Sequence, residues 1–181
     1  LPYYFKCLSM LKVNKNRIKI LNDSKPNTQS GEYVLYWVLA FRRSKYNHAL
    51  QRATEWANEL NKPLLIFEPL QLRYEWSNKR FQQFIIESMK NNFDVFEKSK
   101  AGYFPFVETN EGEIDGLFES LIKKACVVIG DDFPAFFIPQ MSAKGKGLIK
   151  CRYELVDSNG LMPVNASEKE FVRAHDFRRY M

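Results

Sequence analysis

The segment Tyr33-Val34-Leu35-Tyr36-Trp37-Val38-Leu39-Ala40 is an unbroken apolar and aromatic run. It feeds directly into the basic turn Phe41-Arg42-Arg43-Ser44-Lys45 and then into a helix start at Asn47. A strand with no polar alternation is buried on both faces, as in the middle of a parallel sheet covered by helices. In open sheets of that kind ligands sit beyond the carboxyl ends of the strands. The turn from Ala40 to Asn47 is therefore the first candidate for function.

The rest of the chain repeats the pattern. After strand Val34–Ala40, Asn47 caps a helix whose apolar face is Ala49, Leu50, Ala53, Trp56, Ala57 and Leu60, at 3.6-residue spacing. Asn61-Lys62-Pro63 ends it before a second strand, Leu64–Phe67. A loop with Pro69, Trp76 and Ser77 leads to a helix carrying Phe81, Phe84, Ile85, Ser88, Met89 and Phe93 on one face. Tyr103–Val107 is a third strand, and Leu117, Phe118, Leu121, Ile122 and Ala125 stripe a third helix. Cys126–Ile129 is a fourth strand, closed by Gly130-Asp131-Asp132-Phe133-Pro134. A short helical stretch, a Lys144–Gly147 loop and a fifth strand, Ile149–Val156, follow, and Ser167 caps a last amphipathic segment.

Five strands alternating with helices predict an α/β fold: a doubly wound, five-stranded parallel sheet of Rossmann type with helices on both faces. In the common order 3-2-1-4-5 the winding reverses between strands one and four. That places Ala40, Phe41, Arg42 and Arg43 beside Asp131, Asp132, Phe133 and Pro134, and these eight residues are the candidate ligand-binding set.

The net charge of +6 is unevenly spread. Six of the 27 bases and one of the 21 acids fall in residues 1–30, so the remainder carries 21 bases against 20 acids. This reads as a basic amino-terminal arm over residues 1–30, solvated and ordered in part at most, followed by a nearly neutral domain over 31–165. That balance weakens a DNA-binding role for the domain. Residues 166–181 read as the start of a linker. No run approaches the ~18 apolar residues a membrane helix needs. Leu1 to Met10 makes a poor signal peptide, and Met10 is a candidate initiator. The three cysteines, Cys7, Cys126 and Cys151, match no zinc or redox spacing, which fits a reducing cytoplasm.

The usual catalytic signals are missing. Ala-Phe-Arg-Arg stands where a dinucleotide-binding fold has its glycines, and no loop ends in Gly-Lys-Ser/Thr. His48 and His175 lack partners at metal-ligand spacing, so no metal site and no catalytic residue is assigned. Asp131 and Asp132 read more readily as a helix cap than as an acid–base pair. Glu108, Glu111, Glu113 and Asp115 read as a solvated acidic turn. Arg42, Arg43 and Lys45, at a strand end with a helix N-terminus behind, suit an anionic ligand. They equally suit a surface turn or a face for docking another domain.

Trp37, Arg43, Asn47, Ala49 and Leu50 keep the spacing of a motif it resembles, that of the photolyase/cryptochrome amino-terminal domain. Tyr36-Trp37 resembles the class II deoxyribodipyrimidine photolyase version. Asn61-Lys62-Pro63-Leu64, Asp131-Asp132-Phe133-Pro134, Val156-Asp157 to Pro163, and Ala174-His175-Asp176-Phe177-Arg178-Arg179 follow in the family's order. The resemblance, over residues 18–180, implies an antenna-type domain that binds a deazaflavin or folate chromophore or serves structurally. In the family it precedes a helical FAD-binding domain, the expected partner, in a flavoprotein that splits cyclobutane pyrimidine dimers in damaged DNA. FAD is expected in that other domain and not in this stretch. The sequence departs from the family at Ala40, Phe41, Arg42 and Tyr46, all within the candidate crevice. The alternative expectation is a stand-alone nucleotide-binding or protein-interaction module on the same scaffold, without light chemistry.

Overall fold

The computed structural model describes residues 12–72, 74–75 and 77–180. Cys7, Met10 and Trp76, singled out above, lie outside the described residues. Six strands form one sheet: β1 (Ile18–Asn22), β2 (Tyr33–Trp37), β3 (Leu64–Leu70), β4 (Gly102–Val107), β5 (Ala125–Asp131) and β6 (Arg152–Val156). Their order is β1-β6-β5-β2-β3-β4. The five strands from β2 to β6 run parallel in the order expected from the sequence, with the winding reversing between β2 and β5. The strand count requires correction. A sixth strand, β1, pairs antiparallel with β6, so the sheet is mixed.

β2 shows why the central strand has no polar alternation. Val34 and Tyr36 point into one apolar layer, while Leu35 and Trp37 point into the other. The first layer is closed by α1 (His48–Leu60) through Leu50, Ala53 and Trp56, and by Phe96 of α2 (Lys79–Phe96). The second is closed by Phe118 and Ile122 of α3 (Glu113–Lys123) and by Ile138 of α4 (Ile138–Leu148). Each buried side chain of this size contributes ~1.5–3 kcal/mol. Asn47 caps α1 as its position predicts, accepting from the Leu50 amide at 2.9 Å, and Asn61 ends the helix in the left-handed region at φ 50°.

Several local expectations change: Pro69, expected in a loop, lies in β3, and Ala125, expected on a helix face, opens β5. Lys144–Gly147 is the last part of α4, not a loop. Gly145 is needed there because a Cβ would lie 2.9 Å from Cζ3 of Trp37. Glu108 is buried, not solvated: it accepts from the Gly112 amide at 3.0 Å and from the Leu72 amide at 3.2 Å, pinning the loop after β3. β2 stops at Trp37, with the amides of Leu39, Ala40 and Phe41 given to Asp131, and β6 begins at Arg152. Ser167 accepts from the Lys169 amide in a local turn, and the last helix, α5, spans only Ala174–Tyr180.

The expected solvated arm is also structured where it is described. Arg17 is buried, and its Nη1 donates to the carbonyls of Asp157 (3.2 Å) and Asn159 (3.0 Å). Its Nη2 donates to the carbonyl of Leu161 at 2.7 Å. The charge imbalance of residues 1–30 thus includes a cation that ties the loop after β6 to the edge strand. Among the described residues no helix is long and apolar enough to cross a membrane. Arg17→Ala is expected to cost about 3 kcal/mol, since it strips the cation beside buried Asp157 and strands several carbonyls. Urea denaturation of the variant measures this, and a solvated arm would lose almost nothing.

Candidate ligand groove

The reversal point between β2 and β5 is closed by protein. Asp131, the last residue of β5, is fully buried, and its Oδ2 accepts from three successive amides: Leu39 (2.9 Å), Ala40 (2.8 Å) and Phe41 (3.0 Å). Its Oδ1 accepts from the Tyr36 hydroxyl at 2.8 Å, and that hydroxyl accepts from Nδ2 of Asn47 at 2.9 Å. Consecutive amides converging on one point form an anion-binding nest. Here the anion is the chain's own carboxylate. Burial pushes the Asp131 carboxyl above its ordinary range while these four donors pull it back, and burial likewise drives the Tyr36 phenol well up. Asp131 therefore caps the turn after β2, not the helix that follows β5.

The structure brings Ala40, Phe41, Asp131 and Phe133 together and gives Arg42 and Arg43 each an internal acceptor. Arg42 donates from Nη1 to Glu68 at 3.1 Å and from Nη2 to the Pro69 carbonyl at 2.8 Å. Arg43 donates to the carbonyls of Ser158 (2.7 Å) and Tyr46 (3.1 Å), and its guanidinium lies 5.0 Å from the Phe41 ring. Phe41 meets Phe133 edge-on at 5.9 Å. The Asp132 amide donates to the Val156 carbonyl at 2.9 Å, and partial burial raises the Asp132 carboxyl. Pro134 is exposed in the turn that leads to α4.

The open space lies one step to the side. A groove of about 450 Å³ runs beyond the carboxyl ends of β2 and β3, between α3 and α4. Trp37 and Phe118 form its inner wall, Tyr74, Phe136 and Phe137 its rim, and Asp115 and Lys144 face each other at 3.0 Å across the mouth. Gln71, Tyr74, Ile114, Phe137 and Met141 also line an adjoining recess of about 140 Å³ that reaches Arg42. Groove volume lies within the roughly 300–1,000 Å³ range of small-molecule sites.

Two features of the groove bear on a ligand. Phe136 holds φ at 59°, a conformation that costs a bulky side chain about 1–2 kcal/mol, and its ring lies parallel to that of Phe133 at 6.3 Å. Trp37 is buried, yet its Nε1–H has no acceptor among the described residues. An unmade hydrogen bond of this kind costs roughly 1–3 kcal/mol. Among the described residues no cluster of His, Cys, Asp or Glu has the form of a metal site.

Comparison with known proteins decides the relationship. The chain is 39% identical over 167 residues to a deoxyribodipyrimidine photo-lyase from Methanothermobacter thermautotrophicus, a match that covers 92% of this chain and 36% of that protein. This chain is a relative of the photolyases. No family model matches it. The photolyase relative is much the longer protein, and the matched region spans about a third of it.

The reading from sequence found Arg42 and the reversal point, but not Tyr74, Phe136, Phe137 or the groove face of Trp37. Phe133, Phe136 and Phe137 within six residues of a strand end were the available signal. Asp131→Asn is expected to destabilise the fold by about 2–3 kcal/mol, because the introduced amide hydrogens face Tyr36 and its hydroxyl loses its acceptor. Thermal unfolding of the variant checks this. An unchanged midpoint would mean that the nest does not need a carboxylate.

Proposed function

We propose that this photolyase-related domain holds a planar antenna chromophore, a deazaflavin or a folate, in the groove between α3 and α4. The reading extends to the longer protein: the domain serves a helical FAD-binding partner in light-driven repair of cyclobutane pyrimidine dimers in DNA. The observation that carries it is the aromatic-rimmed groove itself, which opens beyond strand carboxyl ends with Trp37 and Phe118 as its inner wall. The residues fit such a group. Tyr74, Phe136 and Phe137 supply rings to stack on, with their own contact of 5.0 Å between Tyr74 and Phe137, and stacked rings contribute ~0.5–1.5 kcal/mol per pair. The bound chromophore would supply light absorption, while the chain's own residues orient it and exclude water.

The expected set of Ala40, Phe41, Arg42, Arg43, Asp131, Asp132, Phe133 and Pro134 enters this proposal as the neighbouring scaffold. Arg42 reaches the ligand space directly, and Phe133 supports Phe136.

A second reading, an interaction module without light chemistry, is favoured by the exposed rings of Phe81 and Phe84 on α2. Titration of 5-deazariboflavin and folate, followed by fluorescence, separates the two. The proposed function predicts saturable binding at one site, weakened about ten-fold by Phe137→Ala or Tyr74→Ala. Absence of binding by both probes would favour the interaction module. The 181-residue chain alone is further expected to split no dimers under blue light, because the family resemblance assigns the catalytic flavin to the helical domain. Repair by the purified chain would refute that assignment.

A further inference from the structure

We propose that Arg42 reads an anionic tail on the ligand, so that the groove selects a planar ring carrying a phosphate or carboxylate over the same ring without one. This rests on the groove reading given above. The recess beside the groove is walled by Val38, Leu39, Leu70 and Ile85, and Arg42 is the one cation lining it among the described residues. It opens into the groove through the shared Gln71, Tyr74, Ile114, Phe137 and Met141, so one molecule can occupy both. A ring fits the larger space, and a short substituent fits the recess of about 140 Å³.

Arg42 lines the recess, and its guanidinium is held in place. Its side chain is 20% exposed, with Nη1 fixed on buried Glu68 and Nη2 on the Pro69 carbonyl. Those two bonds use two of the five N–H donors of a guanidinium. Glu68 does not depend on Arg42 alone: it also accepts from Asn92 Nδ2 at 3.1 Å and from the Tyr103 hydroxyl at 2.7 Å. The Arg42 carbonyl is itself gripped by Ser88 at 3.2 Å and Asn92 at 3.3 Å. A cation fixed on both backbone and side chain, in an apolar recess, binds an anion without first having to be ordered. Arg43 differs. It bonds the carbonyls of Tyr46 and Ser158 and does not line groove or recess.

Riboflavin and FMN share one ring and differ only by a terminal phosphate, so they isolate the tail. The 181-residue chain is expected to bind FMN at least ten-fold more tightly than riboflavin in low salt, with the ratio falling as salt rises. In Arg42→Gln/Glu68→Gln, which removes the cation together with its buried partner, the ratio is expected to fall to about one. Arg42→Lys, which keeps the charge and loses the fork, should fall between. Lys124→Gln, a surface change far from the groove, should leave the ratio as it was. Thermal melts confirm that each variant is folded. Equal affinity of the unaltered chain for both probes would overturn the role of Arg42 and leave the groove standing. An FMN preference that survives the double substitution would overturn it too. Binding of neither flavin would overturn this inference, and failure of 5-deazariboflavin and folate to bind as well would overturn the groove reading.

Discussion

The carboxylate of Asp131 is where the two halves of the sheet are joined. β2 and β5 stay paired to their carboxyl ends, but the chain leaves β2 for α1 on one face of the sheet and leaves β5 for α4 on the other. The amides of Leu39, Ala40 and Phe41 would there be left without partners. One buried oxygen satisfies all three. The other takes the Tyr36 hydroxyl, and Asn47 completes the chain while also capping α1. The turn, the helix start and the reversal point are thus one hydrogen-bonded unit. Its low-dielectric setting makes each bond strong and each loss expensive.

This arrangement explains the position of the groove. A nest of backbone amides is a natural seat for a ligand's anion, and the crevice at a reversal point is its usual entrance. With the nest filled by Asp131 and the space above it packed by Phe41 and Phe133, the remaining opening shifts toward β3 and the α3–α4 gap. Glu68 and Glu108 then shape that opening from below. Glu68 fixes Arg42 and α2, and Glu108 fixes the loop that carries Gln71 and Tyr74. Buried acids here organise the recess and the Arg42 that lines it.

The opposite edge of the molecule follows a different logic. β6 would be an exposed edge, and β1 covers it by antiparallel pairing, with Arg17 tied to the loop that follows β6. Edge strands invite unwanted pairing, and covering one is a common remedy. A second buried acid, Glu154, sits on this side. Arg52, Arg152 and Trp56 donate to it, and together they hold its carboxyl below the ordinary range. Parallel strands in the centre and a charged, covered edge make the sheet asymmetric, with the groove on the far side from β1.

The sequence by itself determined the elements that depend on local pattern. The unbroken run from Tyr33 marked a two-faced strand, Asn47 and Asn61 marked the ends of α1, and alternation of strands and helices implied the parallel order and its reversal point. Those features follow from side-chain periodicity and capping, which act over a few residues. Tertiary structure decided the rest, because each outcome turns on partners far apart in the chain. β1 became a strand only by pairing with β6, more than a hundred residues away, so its basic composition read as a solvated arm. Arg42 and Arg43 look alike in sequence, yet Glu68 aims one at the recess and Ser158 draws the other away. Asp131 looked like a helix cap or an acid. The convergence of three amides on it, visible only once β2 and β5 lie side by side, made it the plug that moved the ligand space next door.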